Sequence, residues 1–298
     1  MERPRFVFQA SEVESMAKAS GLTVHQLLPT LVKSARALAR PPISNYHVGA
    51  VGLGPSGRIF FGGNLEFPGL PLHHSVHAEQ FLVTNLILHR EPQLTHFAVS
   101  SAPCGHCRQF LQEIRGAPHI QVLINDQEED SDECNAKHFE SLSLFLPHRF
   151  GPDDLLEKDV PLVLEPHHNN LSLLSDGNVP NGVMFDLKFE ALEAANRSHA
   201  PYSKCPSGVA LVDCEGKVYR GSYVESAAYN PSLGPVQAAL VSYIVDGGGG
   251  YERIVGAVLV EKEEAVVRQE FNARLILQVI SPKCELKVFH CGEGVEKI

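Results

Sequence analysis

With 298 residues, 44% of them apolar, the chain is long enough to bury a large core or to form two domains. A formal net charge of -10 and a pI near 5.8 argue against a nucleic-acid partner, because phosphate contacts need clustered Lys and Arg. No stretch approaches the length of apolar run that spans a bilayer, and MERPRFVFQASEVESMAKAS has no apolar segment before a small-residue cleavage site. Neither a membrane partner nor secretion is therefore expected. The seven cysteines (104, 107, 134, 205, 214, 284 and 291) are an odd number in a chain without a leader, which points to reduced thiols and a cytoplasmic location.

In chain order, residues 1–22 read as an N-terminal segment. Residues 23–39, TVHQLLPTLVKSARALA, space Leu27, Leu28, Leu31, Val32, Ala35 and Leu38 on one helical face. Pro29 is expected in the first turn, and Pro41-Pro42 ends the helix. HVGAVGLG and GRIFFGGN flank Pro55-Ser56-Gly57 and predict a β-hairpin. AEQFLVTNLILHR predicts a helix, THFAVSS a strand, GHCRQFLQEI a second helix and HIQVLI another strand. This alternation predicts an α/β fold, a three-layer α/β/α domain over residues 23–156. The acidic run DQEEDSDE (126–133) is expected to be a solvated loop, and residues 157–182, rich in Pro, His, Asn, Ser and Gly, a linker.

Residues 183–298 repeat the first half. Offset by 159, Gly49 meets Gly208, Gly57 meets Gly216, Gly62 meets Gly221 and Glu66 meets Glu225. Offset by 160, Val76 meets Val236, Ala78 meets Ala238, Arg108 meets Arg268 and Gln109 meets Gln269. FDLKFEALEAANRSHAPYS supplies the preceding helix again. At these offsets His77 falls on Gln237, Glu79 on Ala239, Cys104 on Glu264 and Cys107 on Val267, so the second copy reads as degenerate and catalytically silent.

The chemistry lies in His77-Ala78-Glu79 followed by Pro103-Cys104-Gly105-His106-Cys107, with 23 residues between Glu79 and Pro103. One His and two Cys hold Zn²⁺ in zinc deaminases, beside a Glu that moves protons without touching the metal. Three protein ligands leave a fourth position for water, and a helix start favours thiolates. Two thiolates cancel the metal's charge and acidify water less, so a nearby base is needed, and Glu79 lies two residues beyond His77. Cys-Gly-His-Cys also matches the tetrapeptide of disulfide isomerases. The Pro before Cys104, the absence of Trp and the upstream His-Ala-Glu favour zinc instead. His73, His74 and His106 are not expected to be ligands, and His106 is expected to face away from the metal.

HAEQ, PCGHCRQF, the VGAVG and GRIFFGGNLE hairpin, LPHRFGPDDL and the duplicated inactive half together resemble the cytidine deaminase family, in its long-chain homodimeric form. The resemblance implies one Zn²⁺ per chain and hydrolysis of cytidine and 2′-deoxycytidine to uridine nucleosides and ammonia, within pyrimidine salvage. Zinc-activated hydroxide would attack C4 while Glu79 shuttles protons. It further implies that Asn64 and Glu66 bind the ribose hydroxyls, that Tyr46 packs on the base where a Phe is usual, and that backbone near Ala78 and Ala102 reads the pyrimidine edge. A second copy of the chain would help to close the site at a dimer interface. Arg108 is expected either to hydrogen-bond a ligand thiolate or to form a surface salt bridge. A polynucleotide cytosine deaminase shares the zinc spacing but needs a basic groove and stacking aromatics; this chain is acidic, lacks Trp and has 7% aromatics. A non-enzymatic structural zinc protein would not need Glu79.

Overall fold

The structure, a computed structural model, describes residues 4–125, 138–174 and 183–294. The first half runs β1 (Val7–Phe8), α1 (Ala10–Ser20), α2 (Val24–Arg36), β2 (Gly49–Leu53), β3 (Ile59–Gly63), α3 (Ala78–Leu88), β4 (His96–Val99), α4 (Gly105–Phe110), β5 (Gln121–Ile124) and β6 (Glu140–Ser141), then two single turns, α5 (Leu142–Phe145) and α6 (Pro152–Leu155). The remainder runs β7 (Leu171–Leu173), α7 (Val183–Asn196), β8 (Ser207–Asp213), β9 (Val218–Ser222), α8 (Pro235–Val245), β10 (Ile254–Lys262), α9 (Glu270–Ile280) and β11 (Glu285–Glu293).

Two mixed sheets result, ordered β1-β3-β2-β4-β5-β6 and β7-β11-β10-β8-β9. In each, a hairpin pairs antiparallel with the next strand, which pairs parallel with its neighbour: β4 with β5, and β10 with β11. Helices cover both faces. On the first sheet α2 lies over Gly49 and α3 over Gly52 and Gly62, and on the second α7 lies over Gly208 and α8 over Gly221. The three-layer α/β/α arrangement expected from the alternating pattern is thus present twice.

The halves meet through α3 and α8, and one apolar core runs through both. This explains why AEQFLVTNLIL carries no polar face. Every residue from Ala78 to Leu86 is buried, wedged between its sheet and the other half. Phe81, Leu82, Val83 and Leu86 are at most 1% exposed, and burying each contributes about 1.5–3 kcal/mol. The first turn of α3 therefore has little freedom to move.

Some expectations change. The N-terminal segment supplies β1 and α1, with Phe6, Val13 and Ala17 in the core. Buried Asn85 of α3 donates to the carbonyls of Phe6 and Phe61, tying this edge down. Pro29 lies in the second turn of α2, not the first, because Thr23 caps the helix and Val24 begins it. Part of the predicted linker forms β7, which pairs with β11; residues 175–182 and the acidic run at 126–133 lie outside the described residues.

The repeat is real, but its offset is not constant. An offset of 159 fits the hairpins: Gly57 and Gly216 turn them at φ 80° and 82°, and Asn45 and Lys204 share φ 57° and 58°. It does not hold at the central helix. Leu65 bridges to Val76, whereas its counterpart Val224 bridges to Leu233, an offset of 157 (233 less 76). A Cβ on Gly62 would strike the Ala78 carbonyl and the Leu82 amide; one on Gly221 would strike the Pro235 carbonyl and the Ala239 amide, again at 157. Gly234, not Gln237, therefore stands opposite His77, and each caps its helix. Val236, not Ala239, stands opposite Glu79, and Gln237 is the counterpart of Gln80. Strands β4 and β10 keep 160, but Gln269 caps α9 as Cys104 caps α4, an offset of 165. Neither a glycine nor a valine supplies a ligand or a proton relay, so the chemical groups are absent from the second copy under the corrected register too.

Candidate active site and metal centre

His77 caps α3, Cys104 caps α4 and Cys107 lies one turn further on. The antiparallel β2–β4 pairing and the burial of α3 bring these two helix starts together. His77 Nδ1 lies 3.5 Å from Cys104 Sγ and 3.3 Å from Cys107 Sγ, and the two sulfurs are 3.7 Å apart. Tetrahedral zinc, with Zn–S of about 2.3 Å and Zn–N of about 2.0–2.1 Å, sets its ligand atoms about 3.5–3.8 Å apart. The three atoms thus form one face of a zinc tetrahedron. Among the described residues, no other group of three such side chains converges in this way.

Glu79 is 4% exposed, and its Oε2 accepts from the Cys107 thiol at 3.2 Å. Burial pushes its carboxyl above the usual range, against the lowering effect of its own backbone amide and the thiol. The hydrogen bond with Cys104 raises the His77 imidazole against burial. Bonds from Cys107 and His77 hold the Cys104 thiol down at about 3, while the same Cys104 contact, reinforced by burial and Glu79, pushes Cys107 up. Cys104 is exposed and Cys107 buried, so the cluster opens on one side only.

His106 stacks on the His77 ring, with centroids 5.0 Å apart and planes at 26°, and so packs on the imidazole of that cluster. His73 and His74 form a short turn with rings 4.3 Å apart, His74 buried, and neither joins the cluster. Arg108 donates to the carbonyls of Pro103 and Phe145 at 2.6 and 2.9 Å, holding the turn that presents Cys104 instead of bonding a thiolate.

The loop before β2 is fastened by the two polar residues that follow β3. Asn64 accepts from the Val48 amide and donates to the Tyr46 carbonyl, both at 2.9 Å. Glu66 accepts from the amides of Ile43 and Ser44 and from the Ser44 hydroxyl. Burial raises the Glu66 carboxyl, but the Ser44 and Ile43 bonds outweigh it and hold the group below the usual range. Glu225 holds Tyr202 and Ser203 in the same way. This tie accordingly belongs to the scaffold common to both halves. Tyr46 is 58% exposed, its hydroxyl paired with Ser101 at 2.8 Å, and Ala78 is buried at the start of α3.

The cytidine and deoxycytidylate deaminase zinc-binding region matches twice, over residues 22–123 and 142–274. Cytidine deaminase 1 of Arabidopsis thaliana is 65% identical over 99% of this chain and 100% of its own. The chain belongs to the cytidine deaminase family. Cytidine deaminase 6 of the same plant is 51% identical over 96% of this chain and 98% of its own. The solved cytidine deaminase of Mycobacterium tuberculosis aligns with 42% of this chain and 96% of its own, at 28% identity and a TM-score of 0.35. Family and geometry agree on a zinc-dependent hydrolytic deaminase, and His77, Cys104 and Cys107 are a cluster that could hold the ion.

Proposed function

We propose that the protein hydrolyses cytidine and 2′-deoxycytidine at C4 to the uridine nucleosides and ammonia, as a step of pyrimidine salvage, with one zinc per chain. The observation that carries this reading is the tetrahedral face of His77, Cys104 and Cys107 with a buried carboxyl, Glu79, beside it. Zinc supplies the Lewis acidity that makes water a nucleophile near neutral pH. Glu79 does the proton work. Burial raises its affinity for a proton, so it would take one from water and pass it to the ring nitrogen, then take the second from the hydroxyl now on C4 and give it to the departing amine.

Tyr46 offers an exposed ring to the base, and backbone near Ala78 and Ala102 offers groups to its polar edge. Glu66 has about four lone-pair sites and spends three, while the Asn64 amide has a second N–H, so both retain capacity for ribose hydroxyls while they hold the loop. Arg108 supports the Cys104 turn from outside the ligand set. The catalytic domain takes in β1 and α1 as well as residues 23–156, and the silent domain takes in β7 as well as 183–294. Tyr46 and Cys104 stand open at the surface of a single chain, which supports a homodimer in which a second copy covers them. Six described cysteines without a disulfide suit the cytoplasm.

The test is release of ammonia from cytidine by purified zinc-loaded protein, with single-stranded DNA as the competing substrate. Turnover of cytidine supports the reading. Zinc without turnover of cytidine, or comparable activity on DNA, overturns it.

A further inference from the structure

The two helix starts that carry the metal ligands are both tied by buried polar side chains to one loop of the silent half. We infer that residues 225–232 act as a strap that fixes the spacing of the zinc ligands, with Gln80 and Glu113 as positioning residues. The inference rests on the zinc reading of the site.

Gln80 is the first tie. It is 1% exposed, its Oε1 accepts from the His77 amide at 3.2 Å, and its Nε2 donates to the Pro231 carbonyl at 3.0 Å. One side chain thus connects the backbone of a metal ligand to the opposite half. Glu113 is the second. It ends the 3-10 turn Leu111–Glu113 that continues α4 beyond Cys107, and it is fully buried. Its Oε1 accepts from the Ala227 amide at 2.7 Å, and its Oε2 accepts from the Tyr202 hydroxyl at 2.6 Å and contacts His199 Nε2 at 3.3 Å. Ala227 and Pro231 belong to the same loop.

That loop is closed on itself. Val224 and Leu233 exchange both backbone hydrogen bonds at its base, and the Ser226 amide donates to the Ser232 hydroxyl at 3.0 Å across it. Glu225, at its start, holds the Tyr202 and Ser203 amides, so the strap and the Tyr202 hydroxyl that meets Glu113 form one bonded unit. Its counterpart in the first half is the stretch after Glu66 that leads into the His77 turn. The silent copy has kept the backbone of its own vestigial site and turned it towards the working one. A buried polar group left without its partner is costly, so each tie strongly resists being broken.

Gln80→Leu removes the first tie at nearly constant volume. Glu113→Gln places an amide N–H₂ among donors, and Tyr202→Phe removes a single bond as a milder alternative should Glu113→Gln fail to fold. The control is Tyr219→Phe, which breaks a buried bond to Asp213 in the same half, away from the strap. Zinc affinity is measured by competition with a chromogenic chelator, alongside thermal unfolding of the zinc-free protein. The expected result is about tenfold weaker zinc binding in Gln80→Leu and Glu113→Gln, a smaller loss in Tyr202→Phe and unchanged affinity in Tyr219→Phe despite its lower melting temperature. Gln80→Leu combined with Glu113→Gln should lose less than the product of the single effects, because both act through one loop. Unchanged zinc affinity in Gln80→Leu and Glu113→Gln, or equal weakening in Tyr219→Phe, overturns the strap alone. A wild-type protein that binds no zinc overturns the strap together with the reading of the site.

Discussion

The two halves of the chain have the same layers, the same hairpin with glycines at φ 80° and 82°, and the same glutamate holding the loop before the hairpin, yet among the described residues only one of them brings His and Cys ligands together. The difference is confined to a few positions at two helix starts: His77 and Glu79 against Gly234 and Val236, and Cys104 against Gln269. What the halves share is therefore the scaffold, and what they do not share is the chemistry. Glu66 illustrates the rule. Its counterpart Glu225 makes the same three bonds where the described residues hold no metal cluster, so holding the loop is its common role, and any contact with a ribose is an additional one.

The comparison can be broken most severely at Glu79. Glu79→Gln should keep zinc and lose about 10²- to 10⁴-fold in turnover, as loss of a general acid/base does. Single-turnover rates alongside metal analysis check it, and near-normal turnover would remove Glu79 from the role. His77→Ala should lose zinc, because only two ligands remain, and the metal content of the dialysed protein reports it. In metal-free protein, alkylation should strike exposed Cys104 before buried Cys107, and zinc should protect both, as peptide mapping would reveal. Gly62→Ala and Gly221→Ala should each cost about 1–3 kcal/mol in denaturant unfolding, because a Cβ meets helix backbone in both halves. A large cost in one half alone would show that the close approach is not a shared requirement. The smallest effect is expected for Gln237→Ala, which should leave zinc content unchanged; zinc loss with the fold intact would mean that the second half contributes to the metal site.

Much of the site was legible because its signals are local. Two residues from His77 to Glu79 and three from Cys104 to Cys107 are spacings that a helix start brings onto one point whatever surrounds it. The offset at α3 and α8 was not legible. A fixed shift of 160 rewards Val76 with Val236 and Ala78 with Ala238, small apolar residues that recur by chance in or just before two buried helices. The true offset of 157 is set by the bridges Leu65–Val76 and Val224–Leu233, which are isolated contacts between loop segments and have no sequence signature. The stacking of His106 on His77 was missed for the same reason, as were the partners of Gln80 and Glu113, which lie in the other half of the chain. A glutamate flanked by Leu111 and Ile114 in the stretch FLQEI was the one available hint of Glu113. The β1 strand is two residues long and pairs only with β3, too short for periodicity to register.

The central claim, one working zinc site beside a silent copy, is tested most directly by measuring bound zinc and ammonia release from cytidine on the same purified sample. The account predicts about one zinc per chain together with turnover. Two zinc ions per chain, or none, or one zinc with no turnover of cytidine, would contradict it.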